Sequence, residues 1–535
     1  MPHQIFFAQM FTRTRGIRSI VVLLALLPAV SASGQSGQSP QSGSALARRV
    51  SMEEAVKLSL EQNLGIQIER INPQIQDLSI LQARSGWVPT FTSSLTNGST
   101  NNPSTSALSG GASTISDARL STQLGVRQVL KTGANYTVTW DSSRATSNSF
   151  FNNFDPQIRS GLSLNVSQPL LRNFKIDTVR QQLEVSLLDR EGADVQLQST
   201  IVATTRNVRN AYWDLAYQMA TLNAAQQSLD LARRLLADNQ KRVQIGTMAP
   251  IDIVEAESEV ARNDEAVIVA EAAIKQAEDR LRALIFDPSS PDFWTVTIEP
   301  TDALSFEAQA VTPVDVDAAV RRALENRTDL QLSKNNLSRT DVNVQFHRNQ
   351  ALPEINAEAS YSASGVGGVQ LAPLSLSQIP TGPVTRSIIA QRAYGSVLGD
   401  VVAGDFPAWT VGITVAYPIG TSASEANLAR FRLQQQQEQA QLRNLELQVA
   451  TQVRDLARQV QTNQKRVDSA RAARELAERR LEAEEKKFAA GIQTSFFVFQ
   501  AQRDLAQSRT NYVRTVADYA KSVVDFDAVQ QAPLQ

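Results

Sequence analysis

Few side chains in this 535-residue chain could carry reaction chemistry. It has no cysteine and only two histidines, His3 and His347, which removes thiol nucleophiles, thiolate metal sites and nearly all imidazole acid–base catalysis. Lys131-Thr132-Gly133 matches a short motif of penicillin-recognising enzymes, but that chemistry also requires a Ser-x-x-Lys nucleophile and none occurs, so the tripeptide reads as a turn. His347 stands beside Arg348 in a helical stretch and reads as a solvated side chain rather than a ligand or base. The 52 Lys and Arg balance 53 Asp and Glu for a net charge of −1, without a basic run that would grip nucleic acid. An enzyme is not expected, and neither is a cofactor or a metal.

With chemistry so sparse, the elements carry the reading. Arg13, Arg15 and Arg18 precede the apolar run Ser19–Val30, and small residues follow at Ser31 and Ala32, so residues 1–32 are expected to be a secretory signal peptide. No cysteine follows to accept a lipid, and no other apolar run approaches the roughly 18–20 residues of a spanning helix. An exported chain of this kind is either soluble or crosses a membrane as a β-barrel.

The chain is duplicated. Ala55-Val56-x-x-Ser59-Leu60-Glu61 reappears as Ala319-Val320-x-x-Ala323-Leu324-Glu325, and Gly246, Ile253 and Ala256 return as Gly491, Val498 and Ala501. The expected organisation is a flexible segment 33–50, a first repeat 51–290, a linker 291–312 and a second repeat 313–530. Each repeat reads as a helix, then strands (90–169 and 354–418), then a helical hairpin (175–286 and 421–528) with its tip near 246–250 or 491–495. Ile201, Val208, Leu215, Leu222, Leu229, Leu236 and Val243 recur every seventh residue, and Val453, Val460, Val467, Leu481 and Phe488 do the same in the second copy, where Arg474 breaks the series. A sustained period of seven predicts left-handed coiled-coil packing. At 1.5 Å per residue, helices of about 65–70 residues reach about 100 Å, far too long for a compact domain.

Trp409, Val411, Ile413, Val415 and Tyr417 alternate with polar or small neighbours, as do Leu162, Leu164 and Val166, which is the pattern of a lipid-facing barrel wall. The polar stretches Asn97–Ala118 and Ser362–Phe406 read as surface loops, and an extra hairpin at 120–140 either joins the wall or folds over its mouth. About four strands per chain cannot close a barrel, so several copies must share one.

These features together resemble the TolC-like outer-membrane efflux protein family. The match is carried by the duplication, the opening Ala-x-x-x-x-Leu-Glu helix, Gln168-Pro169-Leu170, Ala211-Tyr212-Trp213-Asp214-Leu215, and the tip pattern Arg242-x-x-x-Gly246-x-x-x-x-x-Asp252-Ile253-Val254-x-Ala256. The resemblance implies a mixed α and β membrane protein: a homotrimeric twelve-stranded barrel in outer-membrane lipid, continued by a periplasmic helical tunnel. It further implies passive export for an inner-membrane transporter that works through a periplasmic adaptor; the alternative function is the adaptor itself. Adaptor docking would fall on the hairpin tips, at Gly246, Thr247, Gly491 and Ile492. The family's acidic entrance ring would fall on Phe497 and Gln500, so it is absent here, while the first copy has Asp252 and Glu255 at the equivalent places. The family's arginine partner of Asp252 would fall on Gln493, so that charged link is absent too. The expected gate is an apolar Phe497 constriction near acidic Asp252 and Glu255.

Overall fold

The computed structural model describes residues 47–104, 113–149, 151–302, 315–373, 386–420 and 422–531. The export signal expected at 1–32 lies outside these described residues. Strand β1 (Ala47–Val50) leads into helices α1 (Met52–Gln62), α2 (Leu64–Glu69) and α3 (Ile71–Ser85). Four strands follow, β2 (Thr90–Pro103), β3 (Thr114–Val129), β4 (Asn135–Ser147) and β5 (Phe154–Pro169), and then the helices α4 (Thr178–Gln244) and α5 (Ile251–Ile285). After β6 (Thr297–Pro300) the order returns: α6 (Val316–Asn326), α7 (Thr328–Gln350), β7 (Glu354–Leu371), β8 (Ile388–Arg392), α8 (Tyr394–Ala403), β9 (Pro407–Ala416), α9 (Ala423–Ala489) and α10 (Ser495–Gln530).

The two longest helices have the same length, and each begins at a side-chain cap. Asp177 caps α4 by accepting from the Arg180 backbone N–H at 2.8 Å, and Ser422 with Glu425 forms a capping box on α9. Each then runs 67 residues, or about 100 Å. Apolar positions spaced by seven are buried along them, including Val208, Leu215 and Leu229 in α4 and Val453, Val460, Val467 and Leu481 in α9. Arg474 interrupts the spacing, yet its guanidinium lies 4.4 Å from the centre of the Tyr512 ring of α10. The coiled coil therefore keeps its seam there through a cation–π contact.

At the level of α1 the helices carry a collar. β1 pairs in parallel with β6, so the stretch 33–50, expected to be flexible, ends in an ordered strand. Val50, Ala55, Tyr212, Leu215, Leu281, Ile285 and Ile298 form the core beneath it. A buried ion pair completes this core: Arg282 donates to Glu278 at 3.0 Å and to the Val296 carbonyl at 2.7 Å, while Glu278 accepts from the Ile298 backbone N–H at 2.9 Å. Each buried charge thus has partners, as removal from water demands.

The sheet is larger than about four strands. It has seven, in the order β2-β3-β4-β5-β7-β8, with β9 also on β7. Six of them run 10 to 18 residues, and β8 has 5. The excess is the short β8 together with β3 and β4, the hairpin around 120–140, which is fully laddered between β2 and β5. Much of what read as loop in Asn97–Ala118 and Ser362–Phe406 is also strand or helix: Asn97 pairs with Leu120, Asn102 with Ile115, and Gly367 with Ile158. A ladder is held by backbone groups, so polar side chains can occupy it without an apolar alternation to announce it. Among the described residues no helix is long and apolar enough to cross a membrane.

Candidate functional site at the hairpin tips

The two hairpins turn by the same device. Gly246 (φ 77°) and Gly491 (φ 75°) adopt the left-handed conformation that ends a helix, a conformation costly to any residue with a Cβ. The Thr247 and Ile492 backbone N–H groups then reach back to the Arg242 and Lys487 carbonyls at 2.9 and 3.0 Å. Gly246, Thr247, Gly491 and Ile492 are all exposed, Ile492 at 75%.

Behind the turns the tips meet. Leu235, Ala256, Leu481, Phe488, Val498, Phe499 and Leu505 form one buried cluster drawn from α4, α5, α9 and α10. Arg242 joins it from α4: its guanidinium lies 4.3 Å from the centre of the Phe488 ring and donates to the Phe488 carbonyl at 3.3 Å. Asp252, in the first turn of α5, accepts a hydrogen bond from the Ser495 hydroxyl at 3.1 Å. A neutral donor two residues from Gln493 therefore holds this carboxylate, and the Gln493 side-chain oxygen is buried without a hydrogen-bond partner.

The other expected gate residues are placed differently. Glu255 is exposed on α5, and Phe497 is 44% exposed beside Phe496, the two rings edge to face at 5.7 Å. Gln500 donates to Asp504 on its own helix at 3.0 Å. Asp252 is thus tied to the second hairpin, whereas Glu255 and Phe497 offer their side chains outward.

One charged link at this end escaped the sequence reading. Glu259 is buried on α5 and accepts from the Arg503 guanidinium of α10 at 2.7 and 3.0 Å, with Arg262 paired to the same oxygen at 2.9 Å. Its signal was present, since Glu259 lies three residues after Ala256 on the seam face, where a lone acid requires a cation.

The remaining chemically suggestive residues have structural roles. Thr132 and Gly133 form the turn between β3 and β4, where the Leu130 N–H donates to the Ala134 carbonyl at 2.7 Å and the Gly133 N–H to the Leu130 carbonyl at 2.9 Å. His347 is half-buried rather than solvated, stacked on Phe431 with ring centres 4.3 Å apart, and burial followed by the nearby Arg430 holds its pKa below the ordinary imidazole value. Tyr212 is fully buried and donates to Asp302 at 2.8 Å and to the Val50 carbonyl at 3.2 Å. Burial pushes its phenol pKa up to about 12. Lys521 reaches Asp214 at 2.7 Å, tying α10 to α4.

Solved structures share the overall fold. The chain is similar to the Campylobacter jejuni CmeC outer membrane channel, with a TM-score of 0.60 and 14% identity over 90% of this chain and 85% of that one. It is similar to the Vibrio cholerae outer membrane protein VceC, with a TM-score of 0.60 and 14% identity over 90% and 97% of the two chains. It is also similar to the open state of the Neisseria gonorrhoeae MtrE outer membrane channel, with a TM-score of 0.59 and 16% identity over 90% and 88%. No curated protein matches it. The helix, sheet and hairpin units built above are also matched in sequence, over residues 55–285 and 319–529, by the family model described as outer membrane efflux protein; the chain belongs to that family.

Proposed function

We propose that three copies of this chain form the exit duct of a tripartite efflux or secretion system. The chain is an outer-membrane efflux protein with a large periplasmic helical part. The observation that carries the trimeric reading is the sheet, which is apolar on one face, open at β2 and β9, and continued through α3, α4, α7 and α9 into helices of about 100 Å. An open edge in lipid would leave backbone groups unsatisfied, so other copies must close it. Transport through such a duct is passive, with the energy supplied by an inner-membrane transporter.

The exposed tips at Gly246, Thr247, Gly491 and Ile492 are the docking points for a periplasmic adaptor. Their aliphatic and hydroxyl surface suits packing by another helical hairpin. Asp252, Glu255, Phe497 and Gln500 form the entrance: Asp252 holds the two hairpins together through Ser495, and Phe497 narrows the opening. Membership of the efflux family sets aside the alternative that the chain is itself the adaptor. Membrane fractionation followed by native electrophoresis tests the reading. Three-chain assemblies in the outer-membrane fraction are expected, and monomers in the periplasmic fraction would overturn it.

A further inference from the structure

The sheet has a property that a four-strand share would not need. Its pleat sorts side chains onto two faces, and the register carries that sorting across all six long strands. One face bears Phe91 and Leu95 of β2, Leu120, Leu124 and Val126 of β3, and Tyr136, Val138 and Trp140 of β4. The same face continues through Ile158, Leu162, Leu164 and Val166 of β5, Ala359 and Tyr361 of β7, and Trp409, Val411, Ile413 and Val415 of β9. The opposite face bears Asp117, Arg119, Gln123 and Arg127, then Thr139 and Asp141, Arg159 and Asn165, and Glu354 and Glu358. On the apolar face of the extra hairpin the one charge is Arg144, four residues beyond Trp140 toward the strand end away from the helices. At that end of the wall α8 packs on β7 beside Gly365 and exposes Tyr394 and Val402, the latter at 87%, while its one charge, Asp400, is buried and paired with Arg392 at 2.8 Å.

The hairpin is also fixed at the correct height. Its turn at Lys131–Ala134 lies at the helical end of the sheet, where Gln168 donates to the Thr132 carbonyl at 3.3 Å and Lys131 sits 5.9 Å from the centre of the Trp87 ring. Short turns on the periplasmic side and longer connections on the outer side are the arrangement of membrane barrels, and the connections β2–β3 and β4–β5 at the other end are the longer ones. β3 and β4 run 16 and 13 residues, more than the roughly 9–11 that a tilted strand needs to span a bilayer.

We propose that β3 and β4 are membrane-wall strands, so that each chain contributes six strands and three chains build an eighteen-stranded barrel. This rests on the trimeric reading above. The occupant of each open edge is a second copy of the chain: β9 descends toward α9 and β2 ascends from α3, so β9 of one copy against β2 of the next continues the antiparallel alternation without a break. Because diameter grows roughly linearly with strand number, the wall is about half again as wide as a twelve-stranded one, roughly 36 Å against roughly 24 Å for strands ~4.8 Å apart and tilted by ~40°. The outer mouth therefore admits a bulkier solute than a four-strand share would.

Electron cryomicroscopy of the full-length trimer extracted from outer membranes counts the strands directly. Six wall strands per copy are expected. The absence of native cysteines allows a second reading in lipid: single cysteines replacing Leu124 or Val138 should carry an environment-sensitive dye that doxyl lipids quench. The same dye at Gln123 or Thr139 should instead be quenched by aqueous iodide. A trimer with four wall strands per copy, or a hairpin whose four positions are all quenched by iodide, overturns the eighteen-stranded wall and leaves the exit-duct reading standing. A sample that is monomeric in the outer membrane overturns both.

Discussion

At the proposed entrance, the residues to test are an aromatic ring and a carboxylate. Phe497 is half-exposed on α10, and Asp252 is held by Ser495 across the junction of the two hairpins. If Phe497 narrows the duct, Phe497→Ser should raise single-channel conductance severalfold with trimer yield unchanged, and an unaltered current would place that ring elsewhere. Tyr212 permits a second prediction. Its phenol ionises near 10 when unfolded and at about 12 in the buried site, so the unfolded chain loses its proton first. The stability contributed by the neutral, buried phenol is complete below pH 10 and is lost as pH rises from 10 to about 12. Tyr212→Phe should cost about 1–2 kcal/mol at pH 7 through its lost hydrogen bonds, and should flatten the fall in thermal midpoint across that alkaline window. Tyr212 was legible as part of a motif, but its role was not, because Asp302 and Val50 are brought to it only by the fold.

Among elements, the helices were the most legible and the strands the least. A heptad announces its own partner face over many turns, so α4, α5, α9 and α10 could be read from series that include Val208 and Leu229, Leu281, Val453 and Leu505. Strand residues such as Asn97, Ser99 and Asn101 announce nothing, because their ladder to β3 is made by backbone atoms. The pairing of tips was equally hidden. Asp252 with Ser495 and Glu259 with Arg503 are each separated by more than two hundred residues, and only the packing of one hairpin on the other reveals them. The tips themselves carry a prediction at this scale. Thr247→Arg combined with Ile492→Arg lies outside every core cluster, so trimers should form with unchanged melting while export falls to the level of a strain lacking the channel. Normal export from that variant would remove the tips as the docking surface.

For the whole molecule, length and composition take on a specific meaning. A conduit of the proposed kind requires a wall, a seam and an entrance, and a chain with no cysteine and two histidines can supply all three. Duplication provides two hairpins and two sets of strands, and the open edges at β2 and β9 leave the wall incomplete in one copy. In the proposed trimer the added strands β3 and β4 set the perimeter of that wall, while the four long helices of each copy line a tunnel beneath it. The claim that joins these parts is that copies of the chain enclose a continuous aqueous path. Single-channel recording of the full-length protein, extracted from outer membranes and reconstituted in a planar bilayer, tests it most directly. A steady ohmic current that rises in Phe497→Ser is the predicted result; a bilayer that remains insulating with either protein, at verified insertion, would contradict it.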